Sequence, residues 1–241
     1  MILAKGSVDL DYSYLDKNLE FIKNKIHTAA HMCSRDDREI LLMPAVKYAN
    51  ADEINYLHTQ LGVNDIGENR VQQLLEHWEK LELEGLRVHF IGSLQTNKVK
   101  YIIDKVCLIH SLDSERLARE IDRQAKKHGL VMDVLVEINS GQEESKGGLE
   151  PQDVEEFCNI ISQYEGIKLC GFMTMAPKCE DKDMYHKYFS QTRELCFDIW
   201  YNKLKRTDAP ILSMGMSDSF EQAVAEGSTL VRVGSSLFRK L

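Results

Sequence analysis

VCLIHSLDSERLAREIDRQAKKHGLVMDVLVEIN, residues 106–139, is the stretch on which the fold turns. VCLIHSL (106–112) is short and apolar and reads as a strand. Asp113 is placed to cap a following helix whose inner face carries Leu117, Ala118 and Ile121, and Gly129 supplies its C-terminal stop. LVMDVLVEIN (130–139), dense in Val and Leu, is the strongest strand of the chain. Strand, helix and strand in this order make a right-handed βαβ unit, which belongs to a parallel sheet.

The same unit repeats on both sides. Upstream, Leu15, Leu19, Ile22, Ile26 and Ala29 put one apolar stripe on a helix over 14–32, ahead of the first strand, LLMPAV (41–46). A helix from about Asp52, with Ile54 and Leu57 inside, leads to the strand VNDIGE (63–68). Val71, Leu74, Leu75 and Trp78 form the apolar face of the next helix, followed by the strand RVHFIG (87–92) and a helix over 96–103. Downstream, Pro151 opens a helix lined by Val154, Phe157, Cys158 and Ile161. GIKLCGFMTM (166–175), a helix over 182–204, PILSMG (210–215), a short helix over 218–225 and TLVRVG (229–234) complete the series.

The total is eight strands, the first seven each followed by a helix, with one additional helix in front. Eight such units fit a single (β/α)8 TIM-type barrel domain over 1–241. The alternative is an open doubly wound sheet, which often shows a Gly-rich first turn. Here the first strand ends in Val46-Lys47-Tyr48 without that signature, which favours the barrel. Pro44 lies inside the first strand, where its missing N–H predicts a bulge or a local break.

The bulk composition narrows the function. The 241 residues are 43% hydrophobic and 28% charged, with a net charge of −8. No basic block stands out, so general nucleic-acid or anionic-membrane binding is disfavoured. The six cysteines form no Cys-x-x-Cys pair and no zinc-like spacing with His; they read as reduced residues of a cytoplasmic protein. The N-terminus lacks a signal-peptide core, and no run approaches a membrane span.

Barrel active sites gather at the C-terminal ends of the strands. Those positions hold Lys47, Glu68 and Asn69, Gly92 and Ser93 with Gln95 and Asn97 nearby, Asn139, Ser140, Ser145 and Lys146, Met173-Thr174-Met175, Ser213 with Gly215-Met216-Ser217, and Arg232 with Gly234-Ser235. The set has no carboxylate pair, no metal cluster and no Ser-His-Asp combination, so hydrolase and metalloenzyme chemistry start poorly. Backbone N–H groups around Gly215-Met216-Ser217 and Gly234-Ser235, with the Ser217 hydroxyl, fit a phosphate. The competing reading is plain capping: Ser217, Asp218 or Ser219 can each cap the helix, and Ser219-x-x-Gln222 has the form of a capping box. Asp218 and Glu221 count against an anion. A strand-end lysine is ordinarily a solvated surface cation. Set beside a phosphate cradle and partly desolvated, Lys47 suits pyridoxal phosphate, whose aldehyde takes an amine.

AVK (45–47), GEN (67–69), HFIGSLQTNK (89–98), SKGG (145–148), GFMTM (171–175) and SMGMSDSFEQAVAEGSTLVRVGS (213–235) resemble the pyridoxal phosphate homeostasis proteins, relatives of the N-terminal barrel of bacterial alanine racemase. The resemblance runs from about Ile40 to Phe238. It implies pyridoxal 5'-phosphate as cofactor, Lys47 as the Schiff-base lysine, Ser217, Gly234 and Ser235 at the phosphate, and Arg232 facing the pyridine nitrogen. An arginine there makes the ring a weaker electron sink than an aspartate would. Asn69, Lys146 and Met216 line the pocket on this reading; otherwise Asn69 and Met216 are turn and packing residues and Lys146 is a solvated loop charge. Lys146 is further a candidate second amine for cofactor transfer. The chain departs from many members at Val46, in place of Ser before the lysine, and at Tyr48, in place of a small hydroxyl residue.

The implied function is intracellular vitamin B6 and amino-acid homeostasis by a monomer that holds the cofactor and hands it to apo-enzymes, with no catalytic residue and no metal. The alternative is a weak amino-acid racemase or lyase. A racemase needs a second base from an additional domain, and the sequence ends seven residues after Gly234. The position matching the racemase's cofactor-stacking histidine is Met175.

Overall fold

The unit over 106–139 is present in the computed structural model, which describes residues 11–141 and 147–240. Its parts are β4 (Leu108–Leu112), α4 (Glu115–Lys127) and β5 (Met132–Ile138). Gly129, at φ +66°, ends the helix as the sequence requires. Asp113 does not cap it: Ser114 is the N-cap and makes no side-chain cap bond.

The other strands are β1 (Leu41–Pro44), β2 (Asp65–Glu68), β3 (Arg87–Phe90), β6 (Ile167–Thr174), β7 (Ile211–Ser213) and β8 (Leu230–Val233). All pair in parallel, in the order β1-β8-β7-β6-β5-β4-β3-β2. The two ends of this sheet meet through the bridge Ala45–Gly67, so the sheet closes into a barrel at that seam.

Pro44 produces no bulge. Leu41 and Ala45 donate their N–H groups to Thr229 and Val233, on the β8 side. N–H groups alternate sides along a strand, so residue 44 faces β2, where the single bridge leaves no ladder bond to lose. Beyond Ala45 the chain turns at once into a 3-10 turn, Val46–Tyr48. Asn50 and Glu53 then form a capping box that starts α2 (Ala51–Thr59).

Helix α1 (Ser13–Met32) buries Leu15, Leu19, Ile22, Ile26 and Ala30 against the barrel. In α3 (Val71–Trp78) the buried residues are Leu74 and His77, whereas Leu75, assigned to the apolar face by spacing, is exposed. His77 is drawn inside because its Nδ1 lies 2.7 Å from the buried Glu68 carboxylate. The element after β3 is a 3-10 helix, Thr96–Tyr101, rather than an α-helix. The remaining helices are α5 (Val154–Ile161), preceded by a 3-10 turn at Pro151–Asp153, α6 (Asp183–Phe197), α7 (Phe220–Ala225) and α8 (Ser235–Phe238). α6 runs on into a π-helical turn, Asp198–Lys203, and α8 is a short helix that the apolar pattern did not mark.

Most of the core lies in the shell between strands and helices, with Phe90, Phe172, Phe189 and Trp200 fully buried. Two smaller clusters fill the barrel itself: Met43, Ala45, Ile91 and Leu230, and Leu108, Leu135 and Met173. Cys158 and Cys196 are buried and Cys33 and Cys107 exposed; all six cysteines are free thiols. No helix among the described residues is long and apolar enough to cross a membrane.

Candidate functional site

Parallel strands bring the residues after their C-terminal ends to one mouth of the barrel. A cavity of about 180 Å³ lies there, lined by Lys47, Asn69, Met216, Ser217, Arg232, Gly234 and Ser235 together with Tyr48, Ile91, Met175 and Asp218, the acid that counts against an anion. Seven of the eight residues assigned to the site from sequence therefore share one wall system. The eighth, Lys146, lies outside the described residues, as does Ser145.

Each side chain has a local reason for its place. Lys47 rides the turn after Pro44, and its Nζ sits 4.8 Å from the centre of the Tyr48 ring. The lysine is exposed, not desolvated as expected, because the chain turns away from the barrel one residue after β1. The Tyr48 ring supplies a cation–π face instead. Gly215, at φ +90°, passes so close to α7 that a Cβ there would lie 2.5 Å from the Ala223 Cβ. That turn aims Ser217 at the start of α8, where its Oγ accepts the Ser236 N–H at 3.3 Å. Ser219 is the N-cap of α7 but forms no capping box; its hydroxyl accepts the Met216 N–H at 3.2 Å.

Arg232 points from β8 into the barrel and is only 4% exposed. Its Nη1 donates to the Ser213 carbonyl at 2.7 Å and to the Ser213 hydroxyl, and its Nη2 donates to the Thr174 carbonyl at 2.9 Å. Burial pushes its pKa down to about 10, against the pull of Glu137. Behind it runs a polar chain that sequence reasoning missed. Ser213 Oγ meets His110 Nδ1 at 3.0 Å, His110 Nε2 meets His89 Nδ1 at 3.0 Å, and His89 Nε2 meets Asp65 Oδ1 at 2.9 Å. Arg87 holds the same aspartate with two hydrogen bonds at the opposite end of the barrel. Burial keeps His110 well below its ordinary pKa and hence neutral. Replacing Ser213 with alanine removes a bond to a buried cation and strands His110 Nδ1. The expected loss is about 2 kcal/mol of unfolding free energy, read by chemical denaturation.

A second, larger cavity of about 580 Å³ opens on the other side of Lys47 and shares Lys47, Tyr48, Asn69, Ile91 and Met175 with the first. Glu137, Arg70, Gln73, Gly92 and Ser93 line it. Glu137 was also absent from the sequence-based set. It is 5% exposed, and burial, with Asp113 adding and Arg232 opposing, pushes its carboxyl up to about 7. Glu68, the acid that the sequence placed at the mouth, instead turns into the shell toward His77. Asn139 reaches Glu150 at 3.1 Å, and Ser140 takes the Thr174 hydroxyl at 2.9 Å.

The donor set suits a phosphorylated aldehyde. An amine, a serine hydroxyl, a helix start and a buried guanidinium converge on the smaller cavity, and Asn69 Oδ1 is buried there without a hydrogen-bond partner among the described residues. Among the described residues no cluster of His, Cys, Asp or Glu is arranged to hold a metal.

Barrel and site together define an alanine-racemase-type domain, and the family model for the alanine racemase N-terminal domain matches residues 11–240. The pyridoxal phosphate homeostasis protein of Aquifex aeolicus (strain VF5) is 40% identical over 222 residues, covering 92% of this chain and 96% of the relative. A crystal structure of an unknown protein from Bifidobacterium adolescentis superposes with a TM-score of 0.87 at 30% identity, covering 98% of each chain. PipY of Synechococcus elongatus PCC7942, solved with PLP bound, superposes with a TM-score of 0.78 at 29% identity, covering 89% of this chain and 100% of PipY. The chain belongs to the pyridoxal phosphate homeostasis protein family.

Proposed function

We propose that this chain is a single-domain cytoplasmic protein that binds pyridoxal 5'-phosphate and serves intracellular vitamin B6 and amino-acid homeostasis. One observation carries the reading: the Lys47 amine, the Arg232 guanidinium and the Ser217 and Gly234-Ser235 turns line one small cavity. Lys47 is the Schiff-base anchor, Ser217, Gly234 and Ser235 receive the phosphate, and Arg232 faces the ring nitrogen. Asn69 and Met216 bound the pocket. When bound, the cofactor supplies an electrophilic carbon that holds amines reversibly.

The carrier reading is preferred to turnover. Racemisation needs two placed acid–base groups on opposite faces of the cofactor. Tyr48 belongs to the same turn as Lys47, and Met175 lines the pocket where the racemase resemblance puts a histidine. Delivery to apo-enzymes by a monomer belongs to the same proposal and is open to light scattering and reconstitution assays.

The test is the visible spectrum of the purified protein, followed by borohydride reduction and peptide mapping. The adduct is expected on the peptide containing Lys47. Lys47→Ala is expected to lose that adduct and to retain cofactor through dialysis at least about tenfold less well. An adduct on another residue overturns the assignment. Sustained interconversion of D- and L-amino acids by the wild type would replace the carrier with an enzyme.

A further inference from the structure

The polar chain behind Arg232 has a direction. Its members come from β8, β7, β4, β3 and β2. β4 and β7 are not neighbours in the sheet, so the bond between His110 and Ser213 crosses the barrel interior. Arg232 can only donate, and the Asp65 carboxylate, held by Arg87, can only accept. His110 is neutral and carries one ring proton, which leaves two arrangements. In the first, the Ser213 hydroxyl donates to His110 Nδ1, His110 Nε2–H donates to His89 Nδ1, and His89 Nε2–H donates to Asp65 Oδ1. Every member is then satisfied. In the second, His110 Nδ1–H donates to Ser213 Oγ, and His89 donates from both nitrogens as an imidazolium. Ser213 Oγ then receives two donors, and its own hydrogen has no acceptor among the described residues. Bonding alone selects the first arrangement.

Packing does not call for such a chain. Apolar clusters fill other parts of the barrel interior, and a buried polar network is costly unless it is fully bonded. Its far end lies at the start of β2 and β3, where a cavity of about 390 Å³ opens at the mouth opposite Lys47. The titratable and charged groups around His89 are Asp65 on β2, Arg87 on β3, Cys107 and His110 at β4, and Asp133 on β5. We propose that Asp65, His89, His110 and Ser213 are positioning residues for Arg232, holding its guanidinium through hydrogen bonds whose donors all point away from the cofactor pocket, with that direction fixed at the opposite mouth by the pair of Asp65 and Arg87. A second proton on His89 reverses the chain. His110 then donates to Ser213 Oγ and competes with Arg232 for the same lone pairs, which loosens the guanidinium. The Arg87 cation opposes that proton, because a like charge nearby disfavours an imidazolium. The proposal rests on the cofactor reading only for what Arg232 faces.

The experiment is 15N NMR of the histidine rings in the full chain freed of cofactor, using two-bond 1H–15N correlations assigned from the backbone. At pH 8 His89 and His110 are each expected to carry a proton on Nε2 alone. A proton on His110 Nδ1 at that pH overturns the proposal. Lowering the pH is expected to move the His110 proton to Nδ1, and in Arg87→Met that reversal should come about one pH unit or more higher than in the wild type. Arg87→Lys, which keeps the cation, should bring it back toward the wild-type pH. Reversal at the same pH in Arg87→Met and wild type overturns the proposal. The Arg87 side chain is largely exposed and far from the cofactor pocket, so its replacement leaves the core intact. At a pH where only the variant is reversed, Arg87→Met should retain pyridoxal phosphate through dialysis about threefold less well, the value of one weakened hydrogen bond. Equal retention there overturns the positioning role. Borohydride trapping separates the two ideas. An adduct at Lys47 with His110 protonated on Nδ1 at pH 8 defeats the chain alone. The expected ring protons and their dependence on Arg87, without any adduct, uphold the chain's direction and defeat the cofactor reading.

Discussion

Gly171→Ala is expected to destabilise the barrel by about 4 kcal/mol, lowering the thermal midpoint by on the order of 10 °C for a chain of this size. Two effects add. Gly171 has φ +148°, a backbone region that L side chains rarely enter. A Cβ there would also lie 2.1 Å from the carbonyl oxygen of Ile211 and 2.5 Å from its nitrogen. Ile211 is the residue paired with Gly171 across β6 and β7, so the obstacle is backbone and cannot rotate away. The glycine is where β6 absorbs a register shift: Val134 pairs with Leu169 and Leu135 with Gly171, leaving Cys170 as the extra residue. The residues beyond it, Met173, Thr174 and Met175, depend on that shift. Thr174 anchors Arg232 through its carbonyl and Met175 borders both cavities. Cofactor retention should therefore fall together with the midpoint. A variant that melts within about 2 °C of the wild type would show that the β6–β7 ladder yields freely.

The barrel was legible because each strand and each helix carries its own apolar period, and Gly129 and Pro151 mark boundaries by mechanism. The mouth was legible by topology: once the strands are parallel, whatever follows each strand must share one end. This is why Lys47, Asn69, Ser217, Arg232 and Ser235 meet. The missed residues are those that point inward. Strands buried on both faces read as near-continuous apolar runs, so no in–out alternation separates barrel interior from shell. The available signal was polar residues at alternate positions within those runs, as in Arg87 and His89 or Asp133 and Glu137. In a strand these share a face, and that face is the interior that carries His89, His110 and Glu137. Lys47 taught the converse. A strand end at a barrel mouth need not be desolvated, because a turn of three residues suffices to lift the side chain clear.

Glu137→Gln is expected to stabilise the protein by about 3 kcal/mol at pH 8, raising the midpoint by about 6–12 °C, and to leave it nearly unchanged at pH 4.5. The folded carboxyl titrates at about 7, against an ordinary 4.5 for the same group in an unfolded chain. Above pH 7 both states carry the charge, and the folded one bears it out of water beside Asp113, offset only in part by Arg232. Between pH 7 and 4.5 the folded chain takes up a proton that the unfolded chain does not, so stability rises as pH falls and the penalty disappears. Glutamine, close in shape and never charged, removes the penalty at every pH. His110 acts in the other direction. Its folded pKa is depressed, so the unfolded chain gains a proton below about 6.5 that the folded chain refuses, and stability falls with pH there. That contribution is common to wild type and variant, so the difference between their midpoints isolates Glu137. A difference that shrinks from pH 8 to pH 4.5 identifies a carboxylate kept in the barrel against the fold's own stability. Midpoint curves that run parallel would mean that Arg232 already neutralises the charge.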